Sequence, residues 1–251
     1  MRIYAGLFFV TLILSACGKK GPLVYPDMLV PAAPAAVSAQ QSGNNIRLTF
    51  GIPVKDRSGR PRSDVAGIKI YKRDLMAGQD KGCTSCTADF NLFRTWFLDV
   101  PGESQRFGDR VVILDGGVQS GRSYTYSFSA FAHDGTEGIR SAPVTTDVVL
   151  PPLAPVLRAV SLPTEVTLEF VGLPLAGEFA GYSLYRAVKG QPFPYRPYIS
   201  SLLKENRFTD MGLERGTTYM YAARIVVRLS TGVLVESGLS GEVEGKLQDD
   251  E

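Results

Sequence analysis

Three blocks of this 251-residue chain occur twice, in the same order along the sequence. Within the blocks apolar and polar residues alternate, which is typical of a β-strand with one buried face. A repeated set of such strands predicts two similar β domains in tandem. The matching pairs are residues 46–50 and 166–170, residues 66–72 and 180–186, and residues 115–126 and 210–221.

The third block ends in the pattern Gly-x-x-Tyr-x-Tyr, with Tyr124 in the first copy and Tyr219 in the second. Both halves resemble bacterial fibronectin type III domains, which are immunoglobulin-like sandwiches. The resemblance implies a tyrosine corner, in which each of these hydroxyls bonds to nearby backbone. Phe50 and Phe170 stand where this family commonly has a tryptophan. We therefore expect an all-β protein of two tandem fibronectin type III-like β-sandwiches.

The first half carries two insertions relative to the second, of 6 and 19 residues. Extra length in a sandwich is expected in loops or in an added edge strand. The longer insertion contains an aromatic run with Phe93 and Trp96, and a proline-rich connection in the second half contains Tyr195 and Tyr198. These four aromatic residues are candidates for a binding surface. For the run we favour core packing beneath the inserted loop, and the alternative, an exposed Trp96, would make it an anchor for a protein or sugar.

The N-terminus has the layout of a secretory signal, in which Arg2 precedes an apolar run. The sequence from Leu14 to Cys17 resembles the lipobox of bacterial lipoproteins. That resemblance implies removal of residues 1–16 and lipidation of Cys17, and several acyl chains give stable membrane anchoring. Gly18, where some lipoproteins have a retaining aspartate, favours the outer membrane over the inner one. The alternative is an uncleaved apolar N-terminus with a chance cysteine.

Residues 17–26 also resemble the start of small lipoproteins that assist assembly of the lipopolysaccharide translocon. Lys19 and Lys20 would lie against lipid headgroups, and the alternative is a plain solvated tether. Prolines and alanines over residues 30–36 favour an extended path. At about 3 Å per residue, the tether would hold the first domain roughly 50 Å from the membrane.

Cys83 and Cys86 form a C-x-x-C pattern in the longer insertion. Haem attachment would require histidine at Thr87, and a zinc site would require further ligands, although His133 is the only histidine. In an oxidising envelope we expect a disulfide, with a catalytic dithiol as the alternative. We expect no metal and no cofactor.

The charge is nearly balanced, with 27 Lys and Arg against 25 Asp and Glu. Such a balance argues against nucleic acid as a partner. We expect five segments along the chain. They are the signal peptide (1–16), a lipidated tether (17–34), a first domain with the inserted C-x-x-C loop (35–150), a second domain (151–247) and an acidic tail (248–251).

No nucleophile motif accompanies His133, which we place in a turn after the last matching block. The sequence therefore favours a non-enzymatic envelope lipoprotein that presents its two domains to a protein or glycan partner. One alternative is an accessory factor in outer-membrane assembly that acts through its N-terminal segment. Another is an envelope thiol-disulfide oxidoreductase that uses Cys83 and Cys86.

Overall fold

The computed structural model describes residues 25–76, 90–172, 174 and 176–248. Within these residues the protein is built from strands, with one turn of 3-10 helix at Pro26–Met28. No helix among them has the length and apolar character needed to cross a membrane. The strands of the first half are β1 (Ser38–Ser42), β2 (Asn45–Gly51), β3 (Val65–Met76), β4 (Asn91–Phe97), β5 (Ser104–Phe107), β6 (Arg110–Asp115), β7 (Arg122–Ala132) and β8 (Val144–Val148). Those of the second half are β9 (Val156–Ser161), β10 (Val166–Val171), β11 (Glu178–Val188), β12 (Arg207–Asp210), β13 (Tyr219–Arg228), β14 (Leu234–Glu236) and β15 (Val243–Gly245).

The first half is a sandwich of two sheets, in the strand orders β1-β2-β6-β5 and β4-β3-β7-β8. Its core includes Phe50, whose ring packs against Trp96 at 5.8 Å and against Phe128 at 5.3 Å between centroids. β4 and β5 lie at the edges of the two sheets. Of the two expected forms for the longer insertion, loops or an added edge strand, the structure has edge strands here.

The second half repeats this sandwich with fewer strands. β9, β10 and β12 form one sheet, and β13 pairs with β11 on one side and with β14 and β15 on the other. Phe170 is buried in the second core and stacks on Tyr182. The predicted all-β fold of two sandwiches is confirmed.

The tyrosine corner is present in both sandwiches. The Tyr124 hydroxyl accepts a hydrogen bond from the Gln119 backbone N–H at 3.0 Å. The Tyr219 hydroxyl accepts one from Glu214 at 3.3 Å. The prediction made from the repeated Gly-x-x-Tyr-x-Tyr pattern is confirmed.

In each sandwich a serine hydroxyl, and not a backbone carbonyl, accepts a hydrogen bond from one backbone N–H of an inner strand, β7 in the first and β13 in the second. The Ser141 hydroxyl accepts the Phe128 N–H at 3.1 Å, and the Ser240 hydroxyl accepts the Ala223 N–H at 3.0 Å. An unpaired buried N–H is costly. The hydroxyls therefore stabilise β7 and β13 where the neighbouring strand is interrupted.

The chain ahead of β1 is bound to the first sandwich by its backbone. Ala32 N–H donates to the Lys55 carbonyl at 3.0 Å, and Arg57 N–H donates to the Val30 carbonyl at 3.0 Å. Residues 30–32 of the expected tether (17–34) are therefore extended but paired with the loop after β2, and Pro31 forms an antiparallel bridge with Asp56. A free tether can extend only over the residues before Met28.

One sheet continues from the first sandwich into the second. β1 pairs in parallel with β14 at Ser42 and Glu236, and Gly43 N–H donates to the Glu236 carbonyl at 3.0 Å. This contact joins β11, β13 and β14 to the sheet of β1, β2, β6 and β5. We call the contact region between the sandwiches the seam.

Candidate binding site at the seam between the sandwiches

A buried ion pair lies at the centre of the seam. Arg47 of β2 donates two hydrogen bonds to Glu236 of β14, from Nη2 to Oε1 at 2.8 Å and from Nη1 to Oε2 at 3.1 Å. Their side chains are 11% and 3% exposed. Ser42 Oγ adds a hydrogen bond to Glu236 Oε2 at 2.7 Å. The pairing is therefore bidentate and supported on the side of the carboxylate, which is the arrangement that a buried pair requires.

The surroundings keep this pair charged. Burial alone lowers the pKa of Arg47, but the Glu236 carboxylate and the Tyr185 hydroxyl outweigh it and raise that pKa above its usual value. Burial and the Glu236 charge raise the pKa of Tyr185. Tyr185 therefore remains a protonated donor to Glu236 Oε2, at 3.4 Å. Removing one member of such a pair typically costs about 3–5 kcal/mol.

Two glutamine side chains of the first sandwich bind backbone of the second half and of the linker before it. Gln105 Nε2 donates to the Phe193 carbonyl at 3.1 Å, and Tyr195 N–H donates to Gln105 Oε1 at 2.5 Å. Gln41 bonds both backbone groups of Val149 in the same manner, at 2.7 and 3.0 Å. Each amide thus satisfies a backbone donor and a backbone acceptor, which fixes the seam at two further points.

A cleft of about 490 Å³ opens beside the seam; Phe107 of the first sandwich lines it together with residues of the second half. Arg196 stacks over Phe107 of the first sandwich at 4.2 Å, and Arg186 stacks over Tyr198 at 3.9 Å. Arg186 is neutralised by Asp210, at 2.8 Å. The lining consists of Phe107, Arg186, Pro194, Arg196, Pro197, Tyr198 and Ser200.

Arg196 is the exposed cation of this cleft. Among the described residues, no hydrogen bond or ion pair holds its guanidinium, which rests on the Phe107 ring. A guanidinium over a ring face still has N–H donors, and these fit the two oxygens of a carboxylate. The cleft is therefore suited to an acidic group on a ligand.

Both sandwiches contain the same buried polar network, which the sequence analysis missed. In each, an aspartate accepts a hydrogen bond from a tyrosine hydroxyl and pairs with a cation. Burial is the larger cause and the neighbouring aspartate the smaller one, and both raise the pKa of the tyrosine. The tyrosine hydroxyl therefore stays protonated and remains a donor. All members lie in the repeated blocks, and the matching of polar positions between the copies was the available signal. In the first sandwich, Asp115 lies 2.7 Å from the Tyr126 hydroxyl and 2.6 Å from the Lys72 ammonium. In the second, Asp210 lies 3.0 Å from the Tyr221 hydroxyl and 2.8 Å from the Arg186 guanidinium.

The four predicted surface aromatics have different roles. Trp96 is only 3% exposed, and its Nε1 donates to Ser104 Oγ at 3.0 Å, so it packs in the core, as expected for the run, and is not a surface anchor. Half-buried Phe93 covers the Lys72 ammonium at 5.1 Å. Tyr195 meets the seam through its backbone, whereas Tyr198 is 39% exposed and lines the cleft. Phe93 and Trp96 both pack on the first core. Their spacing would place them on opposite faces of a regular strand, but the pairing of β4 with β3 shifts register beside Phe93.

Several predicted features lie outside the described residues. They are Cys17 as the lipidation site and the pair Cys83 and Cys86, which all remain predictions. Within the described part of the chain, no group of three His, Cys, Asp or Glu side chains could hold a metal ion. His133 is exposed in the turn that follows β7.

Strand order, two tyrosine corners and two separate cores define a protein of two fibronectin type III-like sandwiches. Neither a protein-family model nor a curated protein matches the sequence.

Solved structures of fibronectin type III domains are similar to the chain. The FN1–FN3 domains of chicken CNTN1 share 14% identity at a TM-score of 0.32, over 86% of this chain and 64% of that one. An Fn3-like protein of Clostridium thermocellum shares 24% identity at a TM-score of 0.30, over 40% of this chain and 97% of that one. The present chain thus spans less than two thirds of the chicken structure.

Proposed function

We propose that this protein is a non-enzymatic binding module of the bacterial cell envelope, held by lipid at Cys17 and, on the basis of Gly18, in the outer membrane. Its sandwiches form one unit and bind an envelope protein in the cleft beside the seam. The observation that carries the proposal is that Phe107 of the first sandwich lines this cleft together with Arg196 and Tyr198 of the second half. A ligand there recognises the arrangement of the two sandwiches and not one sandwich alone.

The chemistry of the cleft favours a protein partner over a glycan. Sugars bind proteins through the open faces of aromatic rings, but guanidinium groups stack over Phe107 and Tyr198. The edge of Arg196 instead favours an acidic side chain or a chain terminus. Pro194 and Pro197 restrict the backbone beside it, which lowers the entropic cost of binding.

Site-specific photo-crosslinking in cells tests this proposal. A benzophenone amino acid in place of Ser200, at the rim of the cleft, should capture one discrete envelope protein. Arg196→Glu should reduce this adduct at least about tenfold, since it reverses the charge that the acidic group meets. Arg158→Glu is the matched control, because Arg158 is an exposed arginine of β9 outside the cleft, and it should leave the adduct unchanged.

Two results would contradict the proposal. One is an adduct that Arg196→Glu and Arg158→Glu affect equally. The other is a full cellular role for the anchor with residues 17–30 alone, which would assign the function to the N-terminal segment.

A further inference from the structure

A second cleft, of about 590 Å³, opens at one end of the first sandwich. Phe97 at the end of β4 and Phe131 of β7 form its apolar wall, with ring centroids 5.6 Å apart in an edge-to-face arrangement. Phe97 is 48% exposed, and Val100 at the rim is 74% exposed. Water therefore contacts adjacent large apolar side chains here, and contiguous apolar side chains of this kind can serve as a contact with another surface.

The bound N-terminal segment reaches this same end of the sandwich. The Arg62 guanidinium donates to the Leu29 carbonyl and pairs with Asp64 at 2.5 Å. The Asp64 carbonyl accepts the backbone N–H of His133, which lines the cleft, at 3.2 Å. Leu29 is itself exposed. The segment and the rim of the cleft are thus adjacent.

The length of chain before this segment limits how far this end can lie from an anchored Cys17. The Met28 carbonyl is already bound to the first sandwich, by the N–H of Ser58 at 3.1 Å. The intervening residues, 17–27, can span at most about 40 Å when fully extended. As a flexible chain they would span about 20 Å on average. This step rests on the lipidation included in the proposed function.

We propose that this end of the first sandwich docks on the lipid bilayer, with Val100, Phe97 and Leu29 at the contact. Apolar side chains of this kind enter the boundary between headgroups and acyl chains. The contact is weak by itself. The short tether holds this end of the sandwich close to the bilayer, which raises its effective concentration at the membrane surface. The cleft residues thereby set which face of the protein meets the membrane.

Charge does not drive this contact. The loops at this end, residues 25–32, 52–64, 98–103 and 133–143, carry five basic and seven acidic side chains. Anionic headgroups would not attract such a surface. Docking should therefore occur on zwitterionic lipid and should be insensitive to salt.

Tryptophan quenching in vesicles tests the proposal with the full lipidated protein. Val100→Trp places a reporter in the contact, and Leu92→Trp places the matched control at the opposite end of β4, about 17 Å away. Leu92 is also exposed, at 55%. In phosphatidylcholine vesicles with brominated acyl chains, we expect at least about threefold stronger quenching for Val100→Trp, after subtraction of the wild-type signal from Trp96. The difference should persist from about 0.05 to 0.5 M NaCl.

The outcomes separate docking from anchoring. Failure of the protein to float with vesicles, and absence of acyl chains by mass spectrometry, would overturn the lipid anchor. Flotation with equal quenching of Val100→Trp and Leu92→Trp would overturn docking alone. An emission blue shift of Val100→Trp that grows with protein concentration without vesicles would assign the surface to a second copy of the chain and overturn the bilayer as occupant.

Discussion

The Glu137 carboxylate accepts hydrogen bonds from three side chains of the first sandwich. They come from Lys69 Nζ at 2.5 Å, Ser129 Oγ at 2.6 Å and Tyr71 Oη at 2.7 Å. Burial alone raises the pKa of Glu137, but these donors outweigh it and lower the pKa below the ordinary value of 4.5. The ionised carboxylate is thus favoured by folding, and it links β3, β7 and the turn after β7.

Glu137→Gln should remove a pH-dependent part of the stability. Because the pKa of Glu137 is lowered in the folded state, its contribution is present above about pH 4.5 and is lost as the pH falls through the lowered value. The wild type should therefore exceed Glu137→Gln in urea midpoint at pH 7, and the gap should narrow by pH 3. Glu178→Gln, at an exposed glutamate, is the control. A gap that stays constant or widens on acidification would refute this role.

At the scale of single residues, the sequence predicted the tyrosine corners and the core packing of Trp96, but not the residues that surround Trp96. Tyr124 and Tyr219 belong to a local pattern, so their partners lie only five residues away. The burial of Trp96 depends on the position of Phe50 across the core, which no local pattern contains. Arg47 occupies a polar position of an alternating strand, which in an isolated sandwich faces water. The second sandwich buries it.

Among the elements, the N-terminal segment is held by a contact that its own sequence does not contain. Proline and alanine favour an extended chain, and the loop after β2 pairs with this backbone at Val30 and Ala32. Gly138 permits this packing, because a Cβ there would lie only 2.1 Å from the Pro31 carbonyl oxygen. The segment therefore depends on a glycine that is more than 100 residues away in the sequence.

Gly138→Ala should release the N-terminal segment while the sandwich stays folded. Pro31 must move to admit the new methyl group, which breaks the hydrogen bonds on either side of it. The amides of Ala32 and Arg57 should then exchange with solvent at least about tenfold faster in hydrogen-exchange measurements. Gly241→Ala is the control, because no atom lies within 4 Å of its added Cβ. Unchanged protection of both amides in Gly138→Ala would contradict the proposed packing.

The alternation of apolar and polar residues predicted the strands of both cores. It did not predict the short strands β14 and β15, whose limits depend on side-chain hydrogen bonds. β14 and β15 are separated by a stretch in which the hydroxyls of Ser237 and Ser240 accept backbone N–H groups of β13. A serine hydroxyl that takes the place of a backbone acceptor leaves no periodic pattern in the sequence. Only the position of β13 beside these serines shows that they complete its hydrogen bonding.

For the whole molecule, the seam decides whether the two sandwiches act as one unit. The ion pair of Arg47 and Glu236, the two glutamine contacts and the shared sheet all cross it or brace the linker. The short, proline-rich linker limits relative motion further. The cleft beside the seam keeps its shape only if this arrangement persists in solution, and the proposed binding of a partner depends on it.

Residual dipolar couplings test this arrangement most directly. They would be measured for backbone amides of both sandwiches in a soluble form that begins at Gly18. We expect the couplings of both cores to fit one alignment tensor in the orientation of the structure, and Arg47→Glu to make the two tensors diverge, because two like charges would then face each other in the seam. Clearly different tensors for the two sandwiches of the wild-type protein would contradict the account.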